Sequence, residues 1–173
     1  MGPYLHLGLP YPGDNQLVSD AQAGAIRLHG TVYDGGGDAV PDALVEVWQR
    51  GRDGRIVRQA GSLRRDGETF TGWGRCATDA AGHYSFSTLM PAAPAGRAAF
   101  FAITVFARGL LDRVFTRAYL PRGDLAADRL LSGLDAARRK TLICTAETGG
   151  YRFDIHLQGA HETAFLAYRG DSR

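Results

Sequence analysis

Residues 26–33, IRLHGTVY, and residues 43–49, ALVEVWQ, decide the fold class of this chain. In the first segment apolar residues and a glycine alternate with polar residues, and the second is rich in β-branched and aromatic side chains. Both patterns are typical of β-strands. Between them lies the turn-forming segment Asp34-Gly35-Gly36-Gly37-Asp38. We therefore expect two neighbouring antiparallel strands joined by a hairpin connection.

Further strand candidates follow along the whole chain, separated by Asp/Gly turns. They lie at 83–88, 100–107, 114–120, 141–145, 151–158 and 163–166, whereas 58–75 and 92–97 are predicted loops. One helix is predicted from Asp124, as N-cap, to the basic residues that end at Lys140. The pattern indicates a mainly β protein: an antiparallel β-sandwich with one short helix, as a single domain over 1–173 with 1–24 as an N-terminal arm.

Composition excludes several classes of function. The chain has 173 residues, and its 20 Lys+Arg against 18 Asp+Glu give a formal charge of +2. These charges are scattered, which argues against binding to nucleic acid or to a membrane surface. The longest apolar runs, such as 98–107, are ten residues, well short of the roughly 20 that span a bilayer. The first residues do not resemble a secretory signal, so a cytoplasmic location is expected.

The residues that could take part in catalysis or metal binding are mostly isolated in the sequence. The two cysteines, Cys76 and Cys144, lie far apart and are interpreted as reduced core thiols. Glu46 and Asp154 each lie inside an apolar strand and are interpreted as structural carboxylates with partners. No two histidines have the HxH or HxxxH spacing that places two imidazoles on one face, so surface or core roles are favoured over metal binding for each. The five histidines are His6, His29, His83, His156 and His161.

Arg108 differs from the other charged residues because it ends the apolar segment 100–107 and precedes Gly109. A guanidinium at the end of a rigid strand could bind a carboxylate in a bidentate way. The residues alone favour the simpler interpretation, an arginine that closes the strand with a surface ion pair.

Several longer motifs resemble one known family. They are Gly2-Pro3-Tyr4, HGTVYD at 29–34, EVWQ at 46–49, GRCATD at 74–79, FARG at 106–109 and YRFDIHLQG at 151–159. Together they are similar to the intradiol ring-cleavage dioxygenases. In that family the fold is a β-sandwich, and the catalytic chain holds a non-haem Fe(III) with two tyrosines and an HxH pair.

The resemblance implies that this chain does not hold the iron. The positions of the HxH pair correspond to Phe100 and Ala102, one tyrosine position corresponds to Ile56, and the other falls near Pro94. None of these side chains can offer an imidazole or an anionic oxygen to Fe(III). The implied cofactor is therefore Fe(III) held by a catalytic β subunit, with which this chain would form a heteromer.

The resemblance also implies what this chain contributes. In heteromeric members, the Gly-Pro-Tyr segment and the arginine of the FARG motif approach the partner's site, which here means Gly2, Pro3, Tyr4 and Arg108. The implied substrates are the aromatic carboxylate protocatechuate and O2, and the implied product is 3-carboxy-cis,cis-muconate. Arg108 lies eight residues after Phe100, roughly 26 Å along an extended strand, so it is expected to serve a different pocket from that of Phe100 and Ala102.

Two other functions remain open from the residues alone. The strand, turn and strand at 30–47 also suit transthyretin-like sandwiches, which serve as accessory or binding modules without enzymatic activity. A stand-alone enzyme is less favoured, because no candidate base or nucleophile has a visible partner.

Overall fold

The structure is a computed structural model that describes residues 10–57, 65–66, 68–93 and 97–168. Within these residues the chain forms nine strands and two short helices. The strands are β1 Ala25–Tyr33, β2 Leu44–Trp48, β3 Trp73–Ala77, β4 His83–Leu89, β5 Phe100–Phe106, β6 Val114–Tyr119, β7 Thr145–Glu147, β8 Gly150–Arg152 and β9 Ile155–His156. The helices are α1 Arg129–Ser132 and α2 Ala136–Lys140.

The strands form two sheets, which confirms the predicted sandwich. The first sheet has the order β4-β1-β8-β7, with β9 also paired to β1, and the second has the order β3-β2-β5-β6. All pairs in the second sheet are antiparallel. In the first sheet β1 pairs antiparallel with β4 but parallel with β8 and β9, so the fold is antiparallel-rich rather than purely antiparallel.

One apolar core contains side chains from both sheets. Leu28 of β1 and Phe86 of β4 belong to the same buried cluster as Val45 of β2 and Ile103 of β5. Along β1, Leu28 alternates with more exposed neighbours, because successive side chains of a strand point to opposite faces. A smaller cluster joins α1 to β6 through Leu131 and Tyr119, together with Leu142.

The expected pairing of β1 with β2 is wrong, because the two strands lie in different sheets. The turn at 34–38 does form a hairpin: Asp34 N donates to Asp38 O at 2.9 Å, and Val40 N donates to Val32 O at 2.9 Å. The hairpin ends at Val40, and after Pro41 the chain enters the second sheet. Alternation of apolar residues predicts that a strand has a buried face, but it does not say which sheet the strand joins.

The single helix predicted from Asp124 to Lys140 is instead two helices. Asp128 caps α1 by accepting hydrogen bonds from two backbone amides at 3.0 and 3.3 Å, and Asp135 caps α2 at 2.9 Å. Asp124 also accepts two backbone amide hydrogen bonds, both 3.1 Å, but they close a turn before the first helix. The predicted segment therefore contains three aspartates that accept backbone hydrogen bonds as N-caps do. It is divided because α1 ends at Gly133.

Four other local predictions also differ from the structure. The segment 141–145 follows α2 as its C-cap and a turn, with an isolated bridge at Ile143, and only Thr145 enters a strand. The segment 151–158 is divided between β8 and β9. Residues 163–166 form no strand, and Leu166 N instead donates to Phe115 O at 2.8 Å. Conversely, β3 lies partly within the predicted loop 58–75.

Both cysteines are free thiols. Cys144 is buried, and burial raises the pKa of its thiol to about 12. Cys76 is only half-buried, although burial raises the pKa of its thiol as well. In the part of the chain that the structure describes, neither helix has the length and apolar character needed to cross a membrane.

Candidate functional site

Arg108 lies just beyond the end of β5, at the start of the connection to β6. Ala107 is buried and anchors the strand end, whereas 75% of the Arg108 side chain is exposed. Gly109 has φ of +88°, which favours glycine and turns the chain directly after the arginine. The guanidinium is therefore presented to solvent from a rigid base.

The partner of Arg108 is Asp42, whose Oδ2 forms an ion pair with Arg108 Nη2. β2 and β5 pair Leu44 with Phe106, and continuing this antiparallel register by two residues places Asp42 opposite Arg108. Only 14% of the Asp42 side chain is exposed, against 75% for Arg108. The surface ion pair considered from the sequence is thus present, and it occupies one nitrogen of a group that has five N–H donors.

A small cavity of about 210 Å³ lies at the other end of β5. It brings together Ile56, Phe100 and Ala102, three positions at which the family resemblance places iron ligands. Their meeting follows from strand pairing, because Trp48 lies opposite Ala102 and a bridge joins Arg50 to Ile56. The fourth position, near Pro94, lies outside the described residues. Arg108 is not among the residues that line this cavity.

The side chains of this cavity do not fit Fe(III). Ile56, Phe100 and Ala102 carry no donor atoms, and the two polar neighbours are already hydrogen-bonded. Gln49 donates to Leu89 O at 2.8 Å and accepts from Thr88 Oγ1 at 2.6 Å, and Arg50 Nη1 donates to Gly54 O at 2.7 Å. Across the described ranges, no group of three or more His, Cys, Asp or Glu side chains is arranged to hold a metal ion.

The cavity wall is completed by aromatic contacts. The Phe100 ring packs against Tyr119, with 5.3 Å between ring centroids, and the Arg117 guanidinium lies 4.4 Å from the Phe100 centroid. A cation over an aromatic face stabilises the wall. A position at which the family resemblance places an iron ligand is therefore occupied here by a packed aromatic side chain.

Glu46 and Asp154 have the structural partners expected of them, although Asp154 lies between β8 and β9 and not inside a strand. Glu46 Oε1 pairs with Arg75 Nη2 at 2.9 Å. Burial raises the pKa of Glu46, and the nearby Arg75 charge opposes this only in part. Asp154 accepts from the Thr31 backbone amide at 3.0 Å and pairs with Arg152 at 2.7 Å.

The histidines are less isolated than their spacing in the sequence suggests. His29 contacts both His83 and Glu147, and His156 stacks on Tyr33 with 4.9 Å between ring centroids. Sequence reasoning missed the first of these clusters and also missed Asp42. Strand register is the signal that would have revealed them, but register was not available from one sequence. Of the other predicted positions, Gly2, Pro3, Tyr4 and His6 lie outside the described residues.

Comparison with known proteins agrees with the motifs. The family described as dioxygenase matches residues 12–159. The protocatechuate 3,4-dioxygenase alpha chain of Burkholderia cepacia is 36% identical to this chain over 96% of the chain and 93% of that protein. The chain belongs to the intradiol dioxygenase family.

Other relatives of this intradiol dioxygenase chain include both kinds of subunit. The protocatechuate 3,4-dioxygenase alpha chain of Pseudomonas putida is 35% identical over 96% of the chain and 93% of that protein. The corresponding beta chain of Burkholderia cepacia is 38% identical over 80% of the chain and 66% of that protein. The chain is thus homologous to alpha chains along nearly its whole length.

Solved structures show the same fold at lower identity. An intradiol ring-cleavage dioxygenase from Tetranychus urticae matches with a TM-score of 0.63 and 15% identity, over 86% of this chain and 88% of that one. The dioxygenase domain of a carbohydrate-binding fusion from Streptomyces sp. SirexAA-E matches with a TM-score of 0.59 and 21% identity, over 84% and 88% of the two chains. The sandwich is therefore that of the intradiol dioxygenases.

Proposed function

We propose that this chain is the non-catalytic α subunit of a heteromeric protocatechuate 3,4-dioxygenase. The observation that carries the proposal is the cavity of Ile56, Phe100 and Ala102, in which none of the described lining side chains can bind iron, in a chain otherwise similar to alpha chains. A donor-free cavity removes the means to bind Fe(III) without disturbing the sandwich around it. The chemistry then depends on a partner chain.

The partner in this proposal is a β subunit that holds the Fe(III). The heteromer cleaves the aromatic ring of protocatechuate with O2 between its two hydroxyls, giving 3-carboxy-cis,cis-muconate. Similarity to both alpha and beta chains of such an enzyme supports the pairing. This chain's own part is to line the partner's site with Gly2, Pro3, Tyr4 and Arg108.

Arg108 is the residue of this set that the structure describes, and its environment suits carboxylate binding. The Asp42 pair holds the guanidinium at the end of β5 while leaving donors for a second carboxylate. Substrate carboxylate and Asp42 would therefore share one cation. Gly2, Pro3 and Tyr4 would contribute a wall beside the ring, for which the restricted backbone of proline is suited.

Co-expression with a β-type chain from the same organism tests the proposal. We expect a complex that contains iron and consumes O2 when protocatechuate is added, and an isolated chain that does neither. If the β-type chain alone consumed O2 with protocatechuate as fast as the complex does, the subunit role would be contradicted. Absence of any complex would favour an accessory module that acts elsewhere.

A further inference from the structure

The outward face of the first sheet brings together two histidines and a carboxylate. β1 and β4 pair His29 with Ser85 and Thr31 with His83, so the two histidines are diagonal neighbours on one face. His83 Nε2 lies 3.4 Å from His29 Nδ1, and His29 Nε2 lies 2.8 Å from Glu147 Oε2. The cluster is thus assembled from three strands, β1, β4 and β7.

Glu147 determines how His29 presents its nitrogens. A carboxylate accepts hydrogen bonds, so the 2.8 Å contact places the imidazole proton on Nε2 and leaves the lone pair on Nδ1. That lone pair faces His83. A carboxylate that holds one ring nitrogen while the other stays available is the usual support of a metal-binding histidine.

The distance between the two facing nitrogens suits a tetrahedral metal ion. Metal to nitrogen bonds of about 2.0–2.1 Å at tetrahedral angles separate two ligand nitrogens by about 3.3–3.4 Å. The distance from His83 Nε2 to His29 Nδ1 is 3.4 Å. A shared ion would lie off the line that joins the two nitrogens, so both rings would reorient slightly when it binds.

We propose that His29 Nδ1 and His83 Nε2 are the two protein ligands of a tetrahedral divalent transition-metal ion, and that this ion is Zn²⁺. Water completes the coordination, because the described residues contain no group of three protein donors. Such a site exchanges its metal readily, unlike a structural zinc site with four protein ligands. It would link β1 to β4 across the sheet, and it would stabilise the fold by an amount that grows with the logarithm of the free zinc concentration above the Kd.

The competing interpretation is a simple hydrogen bond between the two rings. Calorimetric titration of the full chain with zinc, without an affinity tag, distinguishes a metal site from a hydrogen bond between the rings. We expect one Zn²⁺ to bind at this site, His29→Gln and His83→Gln to weaken binding at least tenfold, and Glu147→Gln to weaken it about tenfold. His161→Gln is the matched control, because His161 is exposed and is not part of the cluster. An unchanged zinc affinity in His83→Gln would overturn the site.

Two spectroscopic measurements keep the proposal testable if a variant fails to fold. Co²⁺ added to the wild-type chain should give the intense visible bands of tetrahedral cobalt, and Zn²⁺ should displace it. Imidazole NMR signals of His29 and His83 should shift with zinc while that of His161 does not. Weak octahedral bands, or shifts confined to other histidines, would contradict the assignment. Neither result depends on iron or on dioxygenase activity, so both are independent of the proposed subunit role.

Discussion

Replacing Arg108 with alanine in the assembled heteromer should weaken recognition of the substrate carboxylate. Hydrogen bonds between charged groups contribute about 1.5–3 kcal/mol when one partner is removed, which corresponds to a rise in KM of roughly 10- to 150-fold. The existing pair with Asp42 subtracts little from this, because the Arg108 side of the pair is largely exposed and an ion pair with an exposed member contributes about 0–1 kcal/mol. The catalytic rate at saturation should change much less than KM.

Asp42 gives this prediction an internal check. Asp42 is 14% exposed beside Arg108 in the wild type, and in Arg108→Ala its carboxylate loses this partner, so its charge would repel the substrate carboxylate. The double variant Asp42→Asn with Arg108→Ala should therefore recover part of the lost affinity. Arg108→Lys should lie between wild type and alanine, because lysine keeps the charge but loses the planar fork.

The assay is O2 uptake at varied substrate concentration, with protocatechuate compared to catechol, which lacks the carboxylate. Arg108→Ala should raise KM for protocatechuate and leave KM for catechol nearly unchanged. Arg122→Ala is the matched control, because Arg122 is an exposed arginine away from this strand end. Equal effects on both substrates, with the heteromer intact by gel filtration, would refute carboxylate recognition by Arg108.

Three predictions concern the fold itself. Gly30→Ala should destabilise the chain by about 3 kcal/mol or more in urea unfolding, because a Cβ there would lie 1.9 Å from the Phe153 carbonyl oxygen. The control is Gly133→Ala, whose Cβ would meet only an ordinary 3.5 Å contact and which should change stability by less than about 0.5 kcal/mol. Cys144, with a thiol pKa of about 12, should not react with a thiol reagent at pH 8 until denaturant is added; rapid labelling of the native chain at Cys144 would show that it is not buried. Burial raises the pKa of Glu46 above its ordinary value of 4.5, so its contribution to stability is present at low pH and is lost as pH rises through the raised value. In urea unfolding, the wild type should therefore lose stability relative to Glu46→Gln as pH rises above 4.5, and a gain would contradict the assigned direction.

Strands were predictable where a strict alternation met a clear turn. β1, β4 and β5 lie where the residue pattern placed them, within about two residues at each end. The partner of each strand was not predictable, as β1 and β2 show, because alternation carries no information on long-range pairing. β3 was missed because WGRCA has a glycine and an arginine inside a short strand, which weakens the β pattern.

Candidate site residues were predictable only where a motif marked them. The meeting of Ile56 with Phe100 and Ala102 was implied by the family resemblance, and the structure brings these residues together. Asp42 and the contact of His29 with His83 depend on register between distant strands. Residue types and spacing along one chain do not encode that register, so neither contact could be inferred before the fold was known.

Metal content is the measurement that tests the central claim most directly. The chain is purified alone and in complex with its β-type partner, and iron is quantified by mass spectrometry in both samples, with zinc measured separately. The account predicts about one iron per αβ pair in the complex and no stoichiometric iron in the isolated chain. One tightly bound ferric ion in the isolated chain, with ring-cleaving activity, would contradict it.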